Sequence, residues 1–95
     1  MDNFDDRMAV LRGRFIERTA IDVERMRAGI VANEWLEVRD ICHGLAGRAG
    51  MFGFAVFGET ARALEESIDR DEVQTLRIRL ADRLLAEAAK IAQSR

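Results

Sequence analysis

The apolar positions of the chain fall into four stripes at helical spacing. A helix turns about 100° per residue, so side chains three and four apart share a face. Met8, Leu11, Phe15, Thr19, Val23, Met26 and Ile30 make the first stripe, and Ala28, Gly29 and Asn33 mark its end and the turn that follows. Trp35, Val38, Cys42, Leu45 and Ala49 make the second, with Asn33 as the expected N-cap and Glu34 and Glu37 in the first turn. Phe54, Phe57, Ala61, Leu64 and Ile68 keep a strict three-four alternation, the seam of a bundle helix. The run Asp69, Arg70, Asp71, Glu72 reads as a capping-box-like start for the fourth stripe, Val73, Leu76, Leu80, Leu84, Ala88 and Ile91. Connections of a few residues force sequential helices to lie antiparallel. The expected fold is therefore all-α: an up-down-up-down four-helix bundle over residues 1–95, one domain, with a long first helix overhanging the others.

Composition narrows the function. Ninety-five residues close around one core, and 48% apolar with 34% charged residues is the balance of a folded, soluble chain. There is no proline, and no Asn-Gly or Gly-Pro punctuation between alternating apolar runs, so hairpins have little support. No apolar run nears the roughly 20 residues of a membrane span, and residues 1–6 are acidic where a signal peptide is basic. A cytoplasmic chain starting naturally at Met1, with no membrane role, is expected. Fifteen Lys and Arg against seventeen Asp and Glu leave a net charge of −2, so no overall positive field collects nucleic acid. One cysteine and one histidine cannot supply a four-ligand zinc site, and neither a P-loop nor an H-E-x-x-H motif occurs.

Residues 42–58 do not read as plain core. They hold five of the seven glycines, and each glycine inside a helix costs about 0.8–1 kcal/mol relative to alanine. Measured from the second stripe, His43 projects about 140° away, toward solvent. Its neighbours on that outer face are Leu36, Arg39, Ala46, Gly47 and, if the helix continues, Gly50. The small ones leave room for another protein or a tetrahedral group to reach the ring. On spacing alone, an ordinary surface histidine among glycines that ease helix packing accounts for the same pattern.

Other candidates read more simply. Cys42 lies in the apolar stripe, about 100° around the helix from His43, so it belongs to packing rather than to a Cys-His nucleophile. Trp35 and the phenylalanines hold stripe or turn positions and belong to the core. Arg7, Arg14, Arg18 and Arg25 share one flank of the first helix, either facing an acidic partner or forming a solvated face in which Arg18 pairs with Asp22.

The pattern around the histidine resembles the histidine phosphotransfer (HPt) domain of bacterial multistep phosphorelays, whose signature places Leu two, Gly four and Gly ten residues after the histidine. Here these are His43, Leu45, Gly47 and Gly53, with Phe52 before the last glycine and Leu64-Glu65 further on. The motif covers residues 33–68, and the helix layout covers the chain. One departure stands out: the family commonly carries a lysine three residues after the histidine, where this chain has Ala46, and its only lysine is Lys90. Arg39, one turn before His43, is the first candidate for the missing charge. Arg48 is the second, although its position points it to the side.

The resemblance implies that His43 accepts a phosphoryl group from a receiver-domain aspartate and passes it to the aspartate of another response regulator. A carrier of this kind is not an enzyme and needs no cofactor, since Mg2+ and the acidic pocket belong to the receiver. The implied partner surface centres on His43, with Leu36, Arg39, Ala46, Gly47, Arg48 and Gly50, and the implied state is a monomer. Two other readings stay open: an interaction module of the same fold that carries no phosphoryl group, and a helical subunit whose glycine-lined face closes an assembly.

Overall fold

The computed structural model describes residues 3–94, which form helices α1 (Asn3–Val31), α2 (Trp35–Ala49), α3 (Ala55–Asp69) and α4 (Gln74–Ala92), with one 3₁₀ turn at Gly50–Phe52. No strand occurs among the described residues. α2 packs on α3, α3 on α4, and α1 on both α2 and α4, closing the four-helix bundle that the stripes predict. Its dimensions of 51 × 20 × 18 Å reflect a first helix nearly twice as long as α2.

The core is built from the stripes. Met26, Val38, Leu45, Phe57, Leu64 and Leu84 are all but fully buried, and each such side chain contributes about 1.5–3 kcal/mol through the apolar surface it removes from water. The stripes also run past the core. Met8 is only half-buried and Leu11 is exposed, because α1 outruns its neighbours where Phe15 packs against the tilted Phe52 ring and stacks on Phe54 beneath the α2–α3 turn. Val73 likewise lies outside α4 and is exposed.

All three interhelix turns use one device. Asn33, Gly53 and Asp71 each adopt a left-handed backbone, with φ of 59°, 87° and 51°. In each case the next residue donates its backbone N–H five residues back: Glu34 to Gly29, Phe54 to Ala49, and Glu72 to Ser67. This is the Schellman termination, which satisfies the last carbonyls of the preceding helix. It corrects two sequence expectations. Asn33 is not the N-cap of α2, a position held by Glu34; it ends α1, and its side chain accepts the Trp35 indole N–H. The Asp69–Glu72 run does not start α4 either: α3 continues through Asp69, and α4 begins after Val73 with no side-chain cap. Asn and Asp tolerate the left-handed region that most residues avoid, so here they stop helices instead of starting them. Among the described residues no helix is long and apolar enough to cross a membrane.

Candidate functional site

The site lies along the seam between α2 and α3. Gly58 lets the two backbones approach. A Cβ there would meet the Ala49 methyl at 3.2 Å and the Ala46 carbonyl at 3.6 Å, with the Gly50 amide at 3.9 Å. That contact fixes the register of the antiparallel pair, and two polar rungs follow from it. His43 stands opposite Glu65, its Nδ1 2.8 Å from Oε2. One turn further, Arg39 stands opposite Asp69 and donates to both carboxylate oxygens, at 2.8 Å and 3.4 Å.

The His43 side chain is 73% exposed while Glu65 is 14% exposed, so a largely sheltered carboxylate holds an open ring. An ionised carboxylate has only lone pairs to offer, which assigns the proton of the neutral ring to Nδ1 and leaves Nε2 as the basic, nucleophilic nitrogen. Beside the ring, a shallow cleft of about 370 Å³ is lined by His43, Ala46, Gly47, Arg62, Glu65, Glu66 and Asp69. A Cβ at Gly47 would touch nothing within 4 Å, so packing does not require a glycine there.

The residues singled out from sequence separate into two groups. His43, Ala46 and Gly47 share the cleft. Arg39 borders it one turn from His43, but its guanidinium is engaged by Asp69 and Asp40, with Glu65 at 3.9 Å. Those carboxylates push its pKa still higher, and in return Arg39 holds the Asp69 carboxyl below the usual aspartate range. Leu36, two turns before His43 on its outer face, and Arg48, turned well away from His43, both lie outside the cleft. They line a separate groove with Arg18, Asp22, Arg25, Glu37 and Gly44, and the Arg48 Nε donates to the Gly44 carbonyl. Gly50 belongs to the 3₁₀ turn, so α2 does not continue far enough to place it on the helical face beside His43.

On α1, Arg18 pairs with the buried Asp22, and Arg25 bridges Asp22 to Glu37 of α2. Arg7 and Arg14 lie along the overhang, where they line an apolar recess with Val10 and Leu11. Cys42 is fully buried with its sulfur 3.9 Å from that of Met26, and burial pushes its thiol up to about 12, which removes it from nucleophilic chemistry. Trp35 is half-buried at the edge of the core, with the Arg77 guanidinium over its ring.

In the sequence Glu65 stood out only as part of the resemblance, with no role attached, Arg62 did not stand out, and Asp69 read as a cap. The available signal was the three-four spacing of Arg62, Glu65 and Asp69 along one flank of the third stripe, the same spacing as Ala46, His43 and Arg39. Comparison with known protein families matches residues 10–94 to the Hpt domain. Neither the curated proteins nor the solved structures contain a match.

Proposed function

The chain belongs to the Hpt domain family, the phosphotransfer modules of phosphorelays, and from that premise we propose that His43 carries a phosphoryl group between the aspartates of two receiver domains. The observation that carries this reading is the Glu65–His43 hydrogen bond on an exposed ring. With Nδ1 protonated, the Nε2 lone pair attacks the phosphorus of a receiver's aspartyl phosphate in line with the breaking P–O bond. The Nε2–P bond forms and the aspartate leaves as a carboxylate with the electron pair. The ring is then cationic, and the Glu65 carboxylate against Nδ1–H offsets that charge. Attack by the aspartate of a second receiver on the same phosphorus reverses these steps.

Phosphoryl transfer of this type depends on alignment and charge neutralisation. Glu65 supplies alignment by holding the ring, and Ala46 and Gly47 leave the approach to it unobstructed. The divalent cation and acidic pocket would belong to the receiver, so this chain works as a monomeric carrier in the cytoplasm, where receivers and kinases operate, and turns over no small substrate. Leu36, with three quarters of its surface exposed, would extend the contact across α2.

The test is incubation of the chain with a phosphorylated receiver domain, following acid-labile, base-stable phosphate. Label on the wild type and none on His43→Gln supports the carrier. Binding without label on either identifies a silent interaction module, the alternative favoured by alanine at position 46. A mass that rises with concentration identifies an assembly subunit.

A further inference from the structure

The α2–α3 register has a third rung. His43 faces Glu65 and Arg39 faces Asp69; in the opposite direction, one turn from His43 toward the Gly58 contact, Ala46 faces Arg62. Both residues line the cleft beside the imidazole. Successive rungs lie about 5 Å apart along the helices, well within reach of a long side chain. Arg62 is exposed and pairs with none of the described residues, whereas Arg39 is held by carboxylates and Arg48 is turned to the far side of α2.

The rest of the cleft is acidic. Arg39 neutralises Asp69, and Glu65 faces the imidazole, which leaves Glu66 one turn from Arg62 as the remaining anion on that face. A dianionic phosphoryl group on Nε2 therefore enters surroundings whose one uncommitted cation, among the described residues, is Arg62. Its planar fork can take two phosphoryl oxygens at once, where a lysine offers a point charge.

We infer that Arg62 binds the phosphoryl group on His43 from across the helix seam, so that the cation absent at Ala46 on α2 is supplied by α3. The inference rests on His43 being the phosphorylated residue. Glu66 is the side chain that competes with the phosphoryl group for the guanidinium.

Potassium phosphoramidate separates this contact from receiver docking. The Nε2 lone pair attacks its phosphorus, the Nε2–P bond forms, and the P–N bond breaks with release of ammonia. Wild type, His43→Gln, Arg62→Gln and the double variant Arg62→Gln/Ala46→Lys are treated in parallel and followed by 31P NMR across pH. In the wild type the nearby guanidinium favours the dianion, so its phosphoryl group titrates about one pH unit below that of Arg62→Gln. The wild type also gains phosphate about tenfold faster, the worth of one charge-assisted contact. The added lysine, placed on the same rung, recovers most of both effects. A phosphoryl titration unchanged by Arg62→Gln overturns the inference while leaving His43 as carrier. Absence of a phosphohistidine signal from the wild type overturns the carrier reading, and this inference with it.

Discussion

Two glycines of the α2–α3 seam, Gly58 and Gly47, do opposite things. Near the turn, Gly58 sits against Ala49 and the Ala46 carbonyl, where a Cβ would press on the Ala49 methyl more tightly than an ordinary contact. Less than one turn along α2 from Ala49, Gly47 faces open solvent, and a Cβ there would meet nothing within 4 Å. The first glycine brings two backbones together. The second gives up helix stability without a packing return, inside the cleft that holds His43. A close contact at one end and the Arg39–Asp69 clamp at the other hold the seam, so the stretch between them can stay open without letting the His43–Glu65 rung drift. Glycine content alone does not distinguish the two uses; what a Cβ would meet does.

The largest break in that contrast comes from closing the tight end. Gly58→Leu places a branched side chain against a methyl and a carbonyl that already lie in contact. Overpacking of this kind costs about 3 kcal/mol, against about 1 kcal/mol regained in helix propensity. Urea unfolding should show a net loss of about 2 kcal/mol. In NMR spectra of the folded fraction the His43 ring should lose its Nδ1–H resonance, because the shifted α3 withdraws Glu65. A variant with wild-type stability and an intact His43–Glu65 bond breaks the claim that this contact fixes the register.

Closing the open stretch should act in the opposite direction on stability. Gly47→Ala adds a methyl group to free space on a helix, so the fold gains about 0.8–1 kcal/mol. Phosphate uptake from phosphoramidate, a donor of a few atoms, should stay near wild type. Uptake from a phosphorylated receiver should fall about tenfold, since a displacement of an ångström at a docked reaction centre is enough for that. Equal rates from both donors would mean that the glycine gives no clearance to the partner.

The same contrast explains which features could be read from sequence. The strict spacing of Phe57, Ala61 and Leu64 is a property of one helix, and α3 buries those residues as the stripe predicts. The exposure of His43 is also local, since it follows from the angle to Val38, Cys42 and Leu45. Partners across a seam are different. Glu65, Asp69 and Arg62 matter through the register of α3 against α2, and that register is set by Gly58, a residue whose importance lies in what the other helix presents to it. Asn33 and Asp71 failed for another reason: short polar side chains suit both a helix start and a left-handed stop, and only the hydrogen bonds of Glu34 and Glu72 tell them apart. For Met8 and Leu11, periodicity names the face of α1 but not how far the neighbouring helices extend.

The smallest effect belongs to the clamp at the far end, and its sign is set by pH. Arg39 hydrogen-bonds the Asp69 carboxylate and holds its pKa below the usual value, about 3.9 for a free aspartate. A carboxyl whose pKa is lowered on folding contributes stability that is fully present above the unfolded value and is lost as pH falls through the folded one. Wild type should therefore unfold at a higher urea concentration than Asp69→Asn between pH 5 and 7. The two midpoints should converge as acidification below about pH 4 protonates the carboxyl. Because the pair is open to solvent the gap should be small, and added salt should narrow it further. A gap that persists unchanged at pH 2 would assign the difference to the shape of the side chain and not to its charge, leaving the Gly58 contact as the main anchor of the seam.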